Sequence, residues 1–132
     1  MRYSIEHIGI SVAQPIEMAN WYKEVLGFEI GSSGQDADKA VAFVTDAENK
    51  VMLEFGKIPN VSPLRDSTSH HLQLHIALKS ENPDAEAQYL VQNGAKFIEK
   101  CPITRAGDYL VVLEDPWGNC IQLAKRPHGQ EL

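Results

Sequence analysis

Two stretches of the sequence resemble each other and decide the fold. Residues 5–12 read Ile-Glu-His-Ile-Gly-Ile-Ser-Val, and residues 73–80 read Gln-Leu-His-Ile-Ala-Leu-Lys-Ser. His7 aligns with His75 at an offset of 68 positions. In both stretches apolar residues alternate with other residues after the histidine, which is typical of a half-buried β-strand.

A second pair of stretches has the same offset. Residues 51–55 read Val-Met-Leu-Glu-Phe and residues 119–123 read Asn-Cys-Ile-Gln-Leu, so that Glu54 aligns with Gln122, again 68 positions later. A shared offset indicates an internal repeat. Because two copies are too few for a solenoid, we expect a pseudo-symmetric domain built from two modules.

A helix follows the first strand in each half. Pro15 begins a segment with apolar residues at helical spacing, and Gly27 ends it. In the second half the strand alternation covers 72–78, Asn82-Pro83 predicts the N-cap and first helical position, and Gly94 ends the helix.

Three shorter strands are predicted after each helix. They lie at about 28–31, 39–45 and 50–55 in the first half and at about 96–100, 109–114 and 119–125 in the second, with turns at 31–34, 46–49 and 115–119. The predicted fold class is therefore α+β. We expect two pseudo-symmetric βαβββ modules.

The composition fits one ordinary globular domain. The 132 residues are 43% hydrophobic and 23% charged, and we expect a single domain over 1–132, with module 1 at about 1–56, a linker at about 57–70, module 2 at about 71–127 and a tail at 128–132. The net charge of −6 argues against a nucleic-acid binder. Two cysteines without CxxC spacing and the absence of a long apolar run predict a reduced, cytoplasmic protein with no membrane segment.

Strand alternation places four polar residues on the faces of their strands that lie opposite the apolar residues. His7 points away from Ile8 and Ile10, and the same alternation holds at the other three positions. Two imidazoles, one carboxylate and one amide oxygen suit a borderline divalent ion such as Zn, Ni, Fe or Mn. We interpret these residues as the ligands of one metal ion: His7, Glu54, His75 and Gln122. The alternative is that they are hydrogen-bonded histidines and the polar sides of half-exposed strands.

Other side chains are weaker candidates. Arg65 and Arg105 could clamp a substrate carboxylate or phosphate, and Trp117 could wall a pocket, although exposed arginines and turn packing explain them as well. His70 and His71 could serve as an alternative ligand or an acid–base group, but a solvated strand end is the preferred interpretation.

Five motifs carry a resemblance to a known family. They are Glu-His-Ile-Gly-Ile-Ser-Val at 6–12, Trp-Tyr-Lys-Glu-Val-Leu-Gly-Phe at 21–28, Leu-Glu-Phe at 53–55, His-Ile-Ala-Leu at 75–78 and Asp-Pro-Trp-Gly-Asn-Cys-Ile-Gln-Leu at 115–123. These motifs span about the whole chain, and in their order they resemble those of the vicinal oxygen chelate superfamily. That superfamily includes glyoxalase I, extradiol dioxygenases and bleomycin-binding proteins.

The resemblance implies paired βαβββ modules that form a cupped mixed sheet with the helices on its outer face. It also implies metal ligands on the first and last strands of each module. The family's usual residue at the last ligand position is Glu, whereas this chain has Gln122. With Glu54 as the only carboxylate, the metal and its four ligands carry a charge of about +1 by counting, and one candidate base is missing.

The resemblance implies a metal-dependent lyase or isomerase similar to lactoylglutathione lyase, which acts on a small carbonyl or hydroxy-acid substrate with Glu54 as the catalytic base. Two alternatives remain open: an Fe(II) extradiol-type dioxygenase that uses His7, His75 and Glu54, and a metal-free protein that sequesters its ligand as bleomycin-resistance proteins do. Relatives close their exposed sheet edges by twofold pairing, so we expect a homodimer.

Overall fold

The structure, a computed structural model, describes residues 1–66, 68–101 and 107–127. The chain divides into two compact units, Met1–Ser67 and Thr68–Leu132. Each unit contains a four-stranded mixed sheet and one helix packed against it. This confirms the predicted α+β class with two βαβββ modules.

The first unit has its strands in the order β1-β4-β3-β2, with β1 parallel to β4 and the other neighbours antiparallel. Its elements are β1 (Ile8–Ser11), α1 (Pro15–Leu26), β2 (Glu29–Gln35), β3 (Ala40–Thr45) and β4 (Met52–Lys57).

The second unit repeats this plan in the order β5-β8-β7-β6, with β5 parallel to β8. Its elements are a 3₁₀ turn (His71–Gln73), β5 (His75–Lys79), α2 (Pro83–Gln92), β6 (Lys96–Cys101), β7 (Tyr109–Glu114) and β8 (Cys120–Lys125).

The repeat extends to the strand register. In the first unit Gly9 pairs with Glu54 across the parallel strands. In the second unit Ala77 pairs with Gln122, so both partners are shifted by the same 68 positions. The two modules therefore share one backbone pairing as well as one order of elements.

The helices begin and end where the sequence predicts. Pro15 opens α1, and Gly27, with a φ of 75°, ends it by donating its N–H to the carbonyl of Lys23. In α2 the side chain of the N-cap Asn82 accepts a hydrogen bond from the N–H of Ala85 at 3.2 Å. Among the described residues no helix is both long enough and apolar enough to cross a membrane.

The core of the first unit shows which face of the sheet is covered. Tyr22 of α1 is fully buried, and its ring lies 5.0 Å from the ring of Phe55 in β4 and 5.5 Å from that of Phe28. Phe55 therefore faces α1. Because neighbouring strand residues point to opposite faces, Glu54 lies on the face away from the helix.

The turn predicted at 31–34 is wrong, because β2 continues through these residues to Gln35. The Gly-Ser-Ser-Gly sequence is typical of a turn, but β2 is an edge strand and its residues here are exposed. A register shift between Ile30 and Ser33 accommodates Gly31 and Ser32 within the strand, and Gly34 pairs regularly with Val41.

The alternation predicted from residue 72 is also wrong at its beginning, because residues 71–73 form a 3₁₀ turn. His70 Nδ1 accepts a hydrogen bond from the N–H of Leu72 at 3.1 Å, and Gln73 Oε1 accepts one from the N–H of His70 at 2.9 Å. These local bonds compete with the extended conformation, so the strand begins only at His75.

Each module has an aspartate that organises the turn between its last two strands. Asp115 is 3% exposed, and its Oδ1 accepts hydrogen bonds from the N–H of Trp117 and the N–H of Asn119, both at 2.9 Å. Asp46 Oδ1 accepts two such bonds, from the N–H groups of Lys50 and Val51, in a more exposed turn.

We expect Asp115→Ala to lower the free energy of unfolding by about 3 kcal/mol, because it leaves buried donors without an acceptor. Asp46→Ala is the matched control and should cost about 1 kcal/mol, since water replaces the carboxylate there. Urea denaturation measures both variants. Equal losses would contradict the dependence on burial.

Candidate functional site

The first unit brings two of the predicted ligands together. His7 lies just before β1, Glu54 lies in β4, and the parallel register between these strands sets their separation. His7 Nε2 is 3.6 Å from Glu54 Oε2, and both side chains are about a third exposed. The two groups therefore form one accessible pair on the sheet face away from α1.

Glu6 and Phe43 orient the imidazole of His7. Glu6 Oε2 lies 2.8 Å from His7 Nδ1, and the His7 ring stands edge-on to the ring of Phe43 at 5.5 Å. Because an ionised carboxylate can only accept a hydrogen bond, Nδ1 carries the proton. The lone pair of Nε2 therefore lies on the side of the ring toward Glu54, as in histidines that bind metals and donate their other N–H to a carboxylate.

The hydrogen bond to Glu6 raises the pKa of His7 above its ordinary value. Partial desolvation lowers this pKa, whereas the negative charges of Glu6 and Glu54 raise it further. The same two charges favour any cation at Nε2. Since a metal ion and a proton need the same lone pair, they compete for this atom.

Glycines flank the carboxylate of Glu54. A Cβ atom placed on Gly9 would lie 3.6 Å from Glu54 Oε1, and one placed on Gly56 would lie 3.7 Å from it. No side chain from these two positions therefore crowds this oxygen. Oε2 lies near His7, and Oε1 keeps room for a second interaction.

The second unit holds the other two predicted ligands in the same backbone relation. His75 lies two residues before Ala77, the partner of Gln122, just as His7 lies two residues before Gly9, the partner of Glu54. His75 Nδ1 is 3.3 Å from the carbonyl oxygen of Leu72. Because a carbonyl only accepts, His75 also carries its proton on Nδ1 and keeps the lone pair on Nε2.

Gln122 is more enclosed than Glu54. Its residue is 7% exposed, and its amide Nε2 donates to Cys101 Sγ at 3.8 Å. With the nitrogen donating to sulfur, the carbonyl oxygen of Gln122 is the end of the amide that could accept a hydrogen bond or bind a metal ion.

The His7–Glu54 pair fits a divalent ion. Two donors about 2.1 Å from a tetrahedral ion are about 3.4 Å apart, close to the 3.6 Å seen here, which is too long for a hydrogen bond between them. Among all the described residues, no three His, Cys, Asp or Glu side chains form a group that could hold a metal ion, so His7 Nε2 and Glu54 Oε2 have no third donor of these types beside them. Each unit contains two of the four predicted donors. A metal ion bound at one of these pairs therefore needs further ligands from outside that pair.

The substrate-binding roles of three further residues stay predictions. Arg65 is half-buried in the segment after β4, and Trp117 is half-buried in the turn before β8. Arg105 lies outside the described residues.

The contacts of Glu6, Cys101 and Glu99 with histidine or amide side chains were not predicted from the sequence. The position of Glu6 next to His7 was the only available signal for the first. His71, expected at a solvated strand end, instead lies in the 3₁₀ turn with its Nε2 3.1 Å from Glu99 Oε1. The side chain of His71 is 18% exposed, and its ring stacks on that of His70 at 4.2 Å.

Comparison with known proteins gives a family match and structural neighbours. The family model for the glyoxalase/bleomycin resistance protein/dioxygenase superfamily matches residues 4–123. No protein with a curated description matches the sequence.

Three solved structures illustrate the likeness. A glyoxalase family protein from Bacillus cereus is 12% identical, with 95% of each chain covered and a TM-score of 0.72. A genomically encoded fosfomycin resistance protein from Listeria monocytogenes is 15% identical, with 97% of each chain covered and a TM-score of 0.69. An antibiotic-binding protein from a Streptomyces species is 21% identical over 94% of this chain and 98% of its own, with a TM-score of 0.62. At these identities the likeness shows the fold.

We expect the neutral histidines to differ in tautomer. His7 and His75 should carry the proton on Nδ1, because their partners only accept, whereas His70 should carry it on Nε2, because its Nδ1 accepts from a backbone N–H. Long-range ¹H–¹⁵N correlation spectra of the imidazoles distinguish the two forms, and His70 is the internal control. An Nε2–H tautomer at His7 or His75 would contradict the assignment.

Proposed function

Because the chain belongs to the glyoxalase/bleomycin resistance protein/dioxygenase superfamily, we propose that it is a glyoxalase-like, metal-dependent lyase or isomerase of small carbonyl or hydroxy-acid substrates. Members of this superfamily commonly use a divalent metal ion. Four donors hold the ion in this proposal: His7, Glu54, His75 and Gln122. The observation that carries the proposal is the 3.6 Å approach of His7 Nε2 to Glu54 Oε2, with Glu6 holding the other nitrogen of the imidazole.

Glu54 is the group that moves the proton. A divalent ion bound by these donors supplies a Lewis acid that polarises two neighbouring oxygens of the substrate. Glu54 is the only carboxylate among the four donors, and an oxygen of this carboxylate takes the proton from the carbon beside the carbonyl and returns it to the adjacent carbon. The glycines beside Oε1 leave room for that carbon to approach.

The charge of the donor set favours electron-rich substrates. Two neutral imidazoles, one amide and one carboxylate leave a divalent ion with a net charge of about +1 by counting. Substrate carboxylate or hydroxyl oxygens are attracted to that charge. Gln122 binds without a charge and cannot accept a proton at neutral pH, so it serves as a ligand and not as a base.

Metal binding by paired variants tests this proposal. We expect about one Zn²⁺ per chain, and His7→Ala, His75→Ala and Glu54→Gln should each weaken Zn²⁺ binding at least tenfold. Glu29→Gln, an exposed carboxylate on β2, and Gln88→Ala, an exposed amide on α2, are the matched controls and should bind Zn²⁺ like the wild type. Binding is measured by competition with a chromogenic chelator.

Two outcomes would contradict the proposal. Full Zn²⁺ affinity in His75→Ala would show that His75 of the second unit is not a ligand of the ion. A wild-type protein that binds no divalent ion, yet binds a planar aromatic ligand, would favour the ligand-sequestering alternative.

Replacing Gln122 by Glu tests the charge argument. The buried carboxylate should lower the melting temperature of the metal-free protein, because burial disfavours its charged form, and should raise Zn²⁺ affinity about tenfold by neutralising the remaining charge. The rise in melting temperature on adding Zn²⁺ should therefore exceed that of the wild type. A smaller rise would contradict coordination at this position.

A further inference from the structure

The second unit has a cavity of about 400 Å³ at one end of strands β5 and β8. Its described lining residues come from the ends of these two strands and from the positions just beyond them, 77–81 and 124–127. All of these residues belong to the second unit. The volume of the cavity is in the range of sites that hold small molecules.

Strand register places part of this cavity on the sheet face that carries Gln122. Ala77 pairs with Gln122, and Lys79 pairs with Ala124. Residues paired across neighbouring strands point to the same face, and alternate residues along one strand share it. Lys79 therefore lies on the same face as Gln122, two residues beyond Ala77 on β5. The side chains between them, at Ala77 and Ala124, are small.

The cavity is lined by more positive than negative charge. Its cationic lining residues are Lys79, Lys125 and Arg126, whereas Glu81 is the one acidic residue among the described residues that line it. The chain as a whole carries a net charge of −6. A local excess of cations in an acidic protein favours an anion at this place.

Asp108 holds the guanidinium of Arg126 in place. Arg126 Nη1 donates to Asp108 Oδ2 at 2.7 Å, and the Asp108 side chain is 1% exposed while that of Arg126 is one third exposed. A guanidinium has five N–H donors in a fixed fork, so a bond from Nη1 leaves the group able to bind a second oxyanion. This pair has no net charge, and Lys79 and Lys125 against Glu81 leave the cavity at about +1 by counting.

The fold itself does not require these cations. In the repeat, Lys79 corresponds to Ser11 and Arg126 corresponds to Ile58, each 68 positions earlier. The first unit forms a sheet of the same strand order with these uncharged residues. The cations at these two positions are therefore specific to the second module.

We propose that this cavity binds the anionic end of the substrate, with Lys79 and Arg126 as the residues that determine specificity. The inference rests on the proposed function, because the other end of the same molecule is the end held at the metal ion. It narrows the substrate class to hydroxy or oxo acids that carry a second, distal anionic group. Carboxylate and phosphate share the required chemistry, since both accept charge-assisted hydrogen bonds from Lys and Arg.

The strands set the spacing between the two ends of such a substrate. Lys79 lies two residues beyond the partner of Gln122, which corresponds to about 6.6 Å along parallel strands. A carbon chain of about five single bonds spans this distance. The distal anion is therefore separated from the oxygens at the ion by a chain of several carbons, as in 2-hydroxyadipate.

Binding of two matched hydroxy acids to the Zn²⁺-loaded protein tests the inference. 2-Hydroxyadipate and 2-hydroxyhexanoate have the same chain length and the same hydroxy-acid end, and only the first has a distal carboxylate. We expect 2-hydroxyadipate to bind at least tenfold more tightly in isothermal titration calorimetry. Lys79→Gln and Arg126→Lys should each remove most of this advantage and keep the affinity for 2-hydroxyhexanoate within about twofold of the wild type.

The variants are chosen so that loss of folding does not imitate loss of binding. Lys79 is exposed, so Lys79→Gln should keep the wild-type melting temperature. Arg126→Lys leaves a cation beside the buried carboxylate of Asp108. Lys96→Gln is the matched control, because Lys96 is an exposed lysine on β6 at the other edge of the same sheet, and it should bind both acids like the wild type.

Inorganic phosphate with the metal-free protein separates the cavity from the ion. Titration should shift the amide ¹H–¹⁵N signals of residues 79–81 and 124–126 in a saturable way. Lys79→Gln should weaken this binding about tenfold, and Lys96→Gln should leave it unchanged.

The inference is overturned if the wild-type protein binds the two acids equally, if Lys79→Gln weakens both acids alike, or if phosphate leaves these amide signals unshifted. Failure of the proposed function has a different signature. In that case removal of Zn²⁺ leaves the affinity for 2-hydroxyhexanoate unchanged, while phosphate still shifts the amide signals beside Lys79.

Discussion

The parallel pairing of the first and last strands within each unit is the constraint on which the remaining structure depends. It sets Gly9 beside Glu54 and Ala77 beside Gln122. A slip of one residue would turn Glu54 toward α1 and Phe55 away from Tyr22, so the core and the ligand face are fixed by the same register. Burial of Phe55 and its neighbours therefore also places the carboxylate.

The two units share a backbone but have different chemistry on the shared positions. His7 is oriented by a carboxylate and faces a carboxylate, whereas His75 is oriented by a carbonyl oxygen and belongs to the unit with the buried amide of Gln122. Of the four candidate ligands, the one carboxylate thus lies in the first unit. The second unit instead carries the His71–Glu99 pair, with His71 Nε2 3.1 Å from Glu99 Oε1.

Local signals in the sequence predicted the order of elements and both helices. Pro15, Gly27 and Asn82 act within one helical turn of their own position, so their effects can be inferred without the fold. The glycines at 31–34 misled the prediction because their accommodation depends on an edge strand and its register shift. The beginning of β5 was misplaced because the side chains of His70 and Gln73 form local bonds that hydrophobic alternation does not encode.

The four candidate ligands stay a prediction, but the equivalent backbone register of Glu54 and Gln122 could be predicted from the repeat. Their partners were harder to predict. Cys101 reaches Gln122 from a different strand, and Glu99 meets His71 from 28 positions away. Neither contact has a counterpart in the other module that a repeat could show. Contacts of this kind follow from the register of the sheet, which is known only once the strands are paired.

X-ray absorption of the Zn²⁺-loaded protein tests the central claim most directly, because it counts the kinds of atom bound to the ion. We expect only nitrogen and oxygen neighbours at about 2.0–2.1 Å from the ion, with the multiple-scattering pattern of two imidazoles. A sulfur neighbour near 2.3 Å would assign the ion to Cys101 or Cys120 instead, and a single imidazole would show that His7 and His75 do not share it. Either result would contradict the account.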